Sequence, residues 1–286
     1  AGSFESFGSG AMKLLNGDMP SLEGDVVNNA RLEINGTTST TALQISNALT
    51  LSGTGSIVLN NDNSSRIIGV GGSHTLTHGT DHTIEGGGQV GIDLGQIDNT
   101  GTIAGSNGTL ALGDDSMVES MILNNNSGGI LEGRDGGTLH IRHTTLTNNA
   151  TIQAQDTSTV RLGDGLSIIG TGAGSFESFG SGAMKLLNGD TPEVSGMLTN
   201  NGLIELLGST SNTEFRIEGT ATSIGGTGDL RLGNDASNRV RGVDGDETLT
   251  NLSGHTIRGG GRLGTDNLAL TNAGTIIGNQ GTMIID

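Results

Sequence analysis

The sequence predicts an all-β fold, a right-handed parallel β-solenoid, and three observations carry the prediction. A long internal repeat, a short inner period of strand-like phrases, and a composition too thin for a globular core all point the same way. The repeat comes first, because periodic sequences build periodic structures. Residues 1–18, AGSFESFGSGAMKLLNGD, return unchanged as residues 173–190, an offset of 172. The only two prolines, Pro20 and Pro192, keep the same place in each copy. Beyond the identical block the copies diverge but stay aligned. Leu43-Gln44-Ile45 matches Phe215-Arg216-Ile217; one residue is then inserted, and Gly53-Thr54-Gly55 matches Gly226-Thr227-Gly228 at an offset of 173. One continuous solenoid over 1–286 is therefore expected, as super-repeats 1–172 and 173–286, the second incomplete and the whole a fragment of a longer repetitive protein.

The inner period is a phrase of the form apolar–x–Asn–x–small–x–apolar. It occurs around Asn28, Asn99, Asn148, Asn200 and Asn272, for example as Ile97-x-Asn99-x-Gly101-x-Ile103. A second phrase follows each, such as Leu139-x-Ile141 or Val160-x-Leu162. Alternation with period two marks short strands with one buried face, and the Gly, Asn, Asp and Ser between them mark turns. Successive phrases lie roughly 20–28 residues apart, which is solenoid coil spacing. With coils starting near Asp25, Asn47, Ser73, Leu94, Met117, Thr145 and Ser167, about seven fill one super-repeat and about twelve the chain, a rod on the order of 55 Å long at one inter-strand spacing per coil. The Asn of each phrase is expected at a bend, its amide bonded to its neighbours in a ladder. Residues 11–15, AMKLL, look locally helical, but Gly8, Gly10 and Gly17 around them favour a strand. Phe4, Phe7, Phe176, Phe179 and Phe215 are read as core aromatics.

Composition explains why a solenoid is needed. Hydrophobic residues make up 32% of the 286, there are 52 Gly, and Cys, Trp and Tyr are absent. That is too little bulk for an ordinary core but enough for a narrow coil that encloses a few side chains. The net charge of −17 disfavours nucleic acid and anionic membranes, which call for basic patches. No segment approaches the ~20 apolar residues of a membrane span.

The phrases HTIEGGGQVG…IDNTGTIAG…GTLAL and HTIRGGGRLG…LTNAGTIIG resemble the repeats of very large bacterial exoproteins, the haemagglutinin-like and autotransporter-like giant adhesins. The resemblance covers nearly the whole chain. It implies a secreted or surface-attached β-solenoid that serves adhesion, aggregation or matrix building. With no recognisable binding insert, the shaft of an extracellular fibre, non-catalytic and associating with itself end to end or along the fibre, is the leading expectation. A glycan- or cell-surface-binding adhesin module, seated on the irregular stretch 113–134, is the first alternative. A polysaccharide lyase or hydrolase on a β-helix is the second; it needs clustered carboxylates in a groove and sugar-stacking aromatics.

No catalytic and no metal-binding residue is assigned. His74, His78 and His82 recur every four residues, a helical ligand spacing, but on strand and turn they are read as surface or turn histidines. Gly86-Gly87-Gly88-Gln89-Val90-Gly91-Ile92-Asp93 departs by one residue from a calcium-binding glycine–aspartate repeat. Acidic turns such as Asp114-Asp115 and Asp244-Gly245-Asp246 leave room for loose calcium binding, and no other cofactor is expected. The Thr-rich run 37–41 raises ice binding, which wants flat, regular threonine rows.

Overall fold

The computed structural model describes residues 2–4, 10–60, 63–113, 121–265 and 268–286. Among them every paired strand is parallel, all 29 strands belong to one sheet, and there is no helix. The chain is a β-solenoid of about 11 turns at about 24 residues each. Ala11–Leu14, ambiguous in the sequence, is a strand paired with Arg31–Ile34.

Each turn has three faces. One face stacks Thr75–His78, Gln96–Asn99, Met121–Asn125 and Thr144–Asn148. The next stacks Arg31–Ile34, Ser56–Leu59, residues 83–86 and residues 102–106. The third stacks residues 109–112, Thr138–Ile141 and Thr159–Leu162. Inward residues meet their like one coil away. A single column runs Leu32, Ile57, Ile84, Ile103, Leu131, Ile152 and Phe176, all buried. Burying each such side chain stabilises by about 1.5–3 kcal/mol, so stability accumulates coil by coil rather than in one centre.

The triple-glycine phrase has a local cause. Thr83–Ile92 turns a corner within one strand, and Gly86 sits there at φ 115°. A Cβ at Gly86 would run into the Leu59 carbonyl of the coil below. Gly259 repeats the arrangement in the second copy, at φ 122° against the Leu232 carbonyl. Only glycine combines that backbone conformation with that approach.

The register holds a feature the repeat alone conceals. Ala11–Leu14 and its copy Ala183–Leu187 are separated by 22 faces, and 22 divided by three faces per turn is seven and one-third turns. The super-repeat is thus not seven coils. Each copy starts one face further round the prism. Arg31–Ile34 belongs to the second face, whereas its copy Leu203–Leu207 stacks on Ala183–Leu187 and Thr159–Leu162, on the third.

The expected core aromatics divide. Phe176 and Phe215 are buried, at 2% and 1% exposure. Phe179 is not in the core: it is 50% exposed, because Leu166–Ser178 ends one residue before it and the turn closed by the Gly182 N–H on the Phe179 carbonyl points the ring outward. Phe7 and the side chain of Phe4 lie outside the described residues.

Candidate functional site

Where the first face bends into the second, a line of polar side chains runs inside the rod. Asn28, Asn99, Asn125 and Asn148 are all buried, as are His78 and His82. They join into one chain. The Asn28 Nδ2 lies 2.9 Å from His82 Nε2, the His82 Nδ1 2.9 Å from His78 Nε2, and the His78 Nδ1 2.7 Å from Asn99 Oδ1. Asn99 Nδ2 then donates to Asn125 Oδ1, and Asn125 Nδ2 to Asn148 Oδ1, both at 2.9 Å. His82 reaches Asn28 across the intervening coil, which turns its corner with Gly53-Thr54-Gly55.

Hydrogen-bond bookkeeping fixes every proton in this chain. Asn28 Oδ1 accepts the Ala30 N–H, while its Nδ2 also donates to the Ser56 carbonyl. Its amide is thereby oriented, and His82 Nε2 must accept. His82 Nδ1 therefore carries the proton and donates to His78 Nε2, and His78 Nδ1 in turn donates to Asn99. Both rings are neutral Nδ1–H tautomers. Burial pushes His78 down to about 4, against the hydrogen bond it donates to Asn99, and pushes His82 down to about 3, with the nearby His78 ring adding to the effect. The side-chain bonds run from earlier coil to later. The backbone bonds beside them run the other way, as from the Asn126 N–H to the Asn99 carbonyl and from Asn149 to Asn125. The two sets of dipoles oppose one another.

The second copy repeats the plan with one exchange. Asn200 Nδ2 meets His255 Nε2 at 3.1 Å, His255 Nδ1 meets Asn251 Oδ1 at 2.7 Å, and Asn251 donates to Asn272 Oδ1 at 2.7 Å. Asn251 occupies the place of His78. Asn272, the last rung, is exposed. The two ladders are not continuous. Beyond Asn148 the chain places Gly174, and Phe176 pairs in register with Asn200. Because the super-repeat advances by a third of a turn, the second ladder climbs the neighbouring edge of the prism.

The five expected asparagines sit at bends and bond across the corner, but never to one another: their side-chain partners are His78, His82, Asn125, Asn251 and His255, and the histidines correct the sequence reading. His78 and His82 are neither surface nor turn residues; both are fully buried and converge. A four-residue step that would scatter side chains along a straight strand brings them together here because it spans a tight corner. His74 stays outside, bonded to the Val70 carbonyl. One signal could have revealed the pair: the aligned position holds Asn in the second copy, and His and Asn share the ability to accept on one atom while donating from another. Asn125 and Asn251 were missed as well, since the phrase around each lacks its closing apolar residue, with Gly129 and His255 in that place.

The threonine run is explained by a second device. Asn16 Oδ1 accepts three successive N–H groups, from Thr37, Thr38 and Ser39, at 2.9–3.0 Å. Asn188 does the same for Ser209, Thr210 and Ser211, each at 2.9 Å. Three N–H groups converging on one oxygen form a nest, filled here by an amide from the coil below. These residues are a clamped turn, not a flat row.

Elsewhere some chemistry-bearing groups are engaged, while the buried His140 Nε2 has no hydrogen-bond partner. Glu132, 3% exposed, accepts from Arg134, Gln153 and Gln155 at 2.7–2.8 Å, and Arg134 also bridges to Glu85 at 2.6 Å. Glu85 and Arg134 border a shallow basin of about 300 Å³. In the acidic turn at Asp244, the N–H groups of Asp244 and Gly245 are bonded to the buried Glu247 carboxylate. Among the described residues no three His, Asp or Glu side chains are grouped to hold a metal, and no helix is long and apolar enough to cross a membrane. Asp114-Asp115 lie outside the described residues; from 121 onward the stretch chosen as irregular forms the regular strands Met121–Asn125 and Ile130–Arg134.

Fold and site together define a β-solenoid whose corners are held by internal amide–imidazole ladders. Compared with family models, curated proteins and solved structures, the chain matches none.

Proposed function

We propose that this chain is a length of shaft from an extracellular, surface-attached or secreted bacterial fibre, with a mechanical rather than a catalytic role. One observation carries the reading: the buried amides and imidazoles of the ladders, the nest asparagines and Glu132 are spent on bonds within the rod. His78, the nest asparagines, Glu132 and Asn99, Asn125 and Asn148 each bond to a neighbouring coil, and His82 reaches Asn28 one coil further. Pulling such a rod apart requires breaking whole coils, because each rung ties a coil to the next.

The test is single-molecule stretching of the chain between its ends, with electron microscopy of the same sample over a range of concentrations. Stepwise unfolding in units of about one coil and straight rods support the shaft. Collapse at forces typical of a weakly coupled chain, without steps, rejects it.

A further inference from the structure

The two copies serve as controls for one another: where their surfaces differ, the fold does not dictate the difference. One such difference lies on one face of the second copy. Glu193, Arg216 and Arg241 stack in register on successive strands, and beside them Glu214, Arg239 and Arg262 do the same. The aligned residues of the first copy are Ser21, Gln44 and Ile68, and Ala42, Arg66 and Gln89. The same backbone therefore carries one arginine in the first copy and four in the second, within a protein of net charge −17.

Like charges directly opposite on neighbouring strands repel, and in these two columns four arginines stand with two glutamates. Arg216 pairs with Glu193 at 2.9 Å, while Arg239 and Arg241 share Glu214 at 3.7 Å each. Arg262 has no acidic partner among the described residues; the Nε atoms of Arg216 and Arg262 are buried without an acceptor, so only the outer guanidinium nitrogens face a ligand. Guanidinium groups repeat here at about 4.8 Å from coil to coil and about 6.6 Å along a strand. We propose that this face binds an acidic polysaccharide, its carboxylate or sulfate groups seated between stacked arginines. A linear chain of acidic sugars offers an anion on each ring at a spacing of the same order, and guanidinium holds such oxyanions through paired hydrogen bonds. The proposal is independent of the shaft reading, since a shaft can carry this face or lack it.

The experiment uses the whole chain, titrated by calorimetry with oligogalacturonate, with heparin fragments, with neutral dextran and with single-stranded DNA of matched charge. The key variant combines Arg216→Gln, Arg241→Ile and Arg262→Gln, residues that the first copy already folds with. Binding of one or both acidic saccharides, absent for dextran and weakened at least about tenfold in the triple variant at unchanged Tm, supports the proposal. Response to only the uronate or only the sulfated arm identifies the anion. The reverse graft, Gln44→Arg with Ile68→Arg and Gln89→Arg, is expected to double the binding stoichiometry. No saccharide binding at low salt, equal binding by the triple variant, or DNA binding as tight as saccharide binding would each overturn it.

Discussion

His78 and His82 are neutral because their neighbours leave them no alternative. A proton added to His82 Nε2 would face the Asn28 amide N–H at 2.9 Å, and no carboxylate stands by to receive the charge. The pH dependence follows. An unfolded histidine titrates near 6.5, and these two titrate at about 4 and about 3 in the fold. Below pH 6.5 the unfolded chain binds more protons than the folded one, so stability falls as the pH drops, until the folded values are reached. Each ring contributes a slope of at most about 1.4 kcal/mol per pH unit. The second copy supplies the matching variant, since Asn251 completes the same ladder without a second imidazole. His78→Asn should leave Tm at pH 7 nearly unchanged and make its decline toward pH 4.5 shallower than in the wild type; parallel curves would refute the assignment. A second variant tests the rungs themselves. Asn125→Ala removes a buried amide that bonds to Asn99, Asn148 and the Thr151 carbonyl, and should cost about 2–4 kcal/mol. Asn272→Ala, at an exposed rung, should cost under about 0.5 kcal/mol. Urea midpoints that move equally would remove the ladder's claim to stability. The asparagines were legible because they recur at coil spacing. The histidines were not, because strand periodicity says nothing about side chains meeting across a corner.

Strands were legible from alternation, and Ala11–Leu14 shows why propensity alone misleads. Its helical look comes from Ala, Met, Lys and Leu, yet Met12 packs on the core and pairs with Leu32 one coil up. Burial of alternate residues outweighs a preference worth a few tenths of a kcal/mol per residue. Phe179 shows the limit in the other direction. It is a large apolar residue beside a strand, but the turn starts at it, and no pattern of period two extends across a turn. The turns themselves depend on contacts between coils, such as the nest around Asn16. Asn16→Asp keeps an oxygen on the three N–H groups and adds charge where they point, so its Tm should match or exceed the wild type. Asn16→Ala empties the nest and should lose about 1–2 kcal/mol. Thermal melts in which the aspartate variant proves less stable than the alanine variant would show that the nest does not hold the turn.

At the scale of the whole rod, the repeat length and the coil length do not divide evenly, and the molecule is built on the remainder. Division of 172 by an assumed integer number of coils hid this; only strand pairing shows that Leu203–Leu207 stacks on Thr159–Leu162 through Ala183–Leu187 rather than returning to the face of its own copy. The remainder has a mechanical consequence. A ladder of identical rungs would favour fracture along one edge, whereas here it shifts to the next edge at each super-repeat, with Phe176 at the changeover. It also sets how surface features are displayed. Three super-repeats make 22 turns and restore the starting face, an axial distance of about 105 Å at ~4.8 Å per turn. An engineered array of tandem 172-residue units, each carrying one cysteine at the position of Ser56 labelled with a gold cluster, makes this visible. Successive labels should step by about 35 Å along the rod and by a third of a turn around it, so that every third label falls on the same side. Labels aligned along one side of the rod in electron micrographs would mean that seven whole turns separate the copies, and the register described above would be wrong.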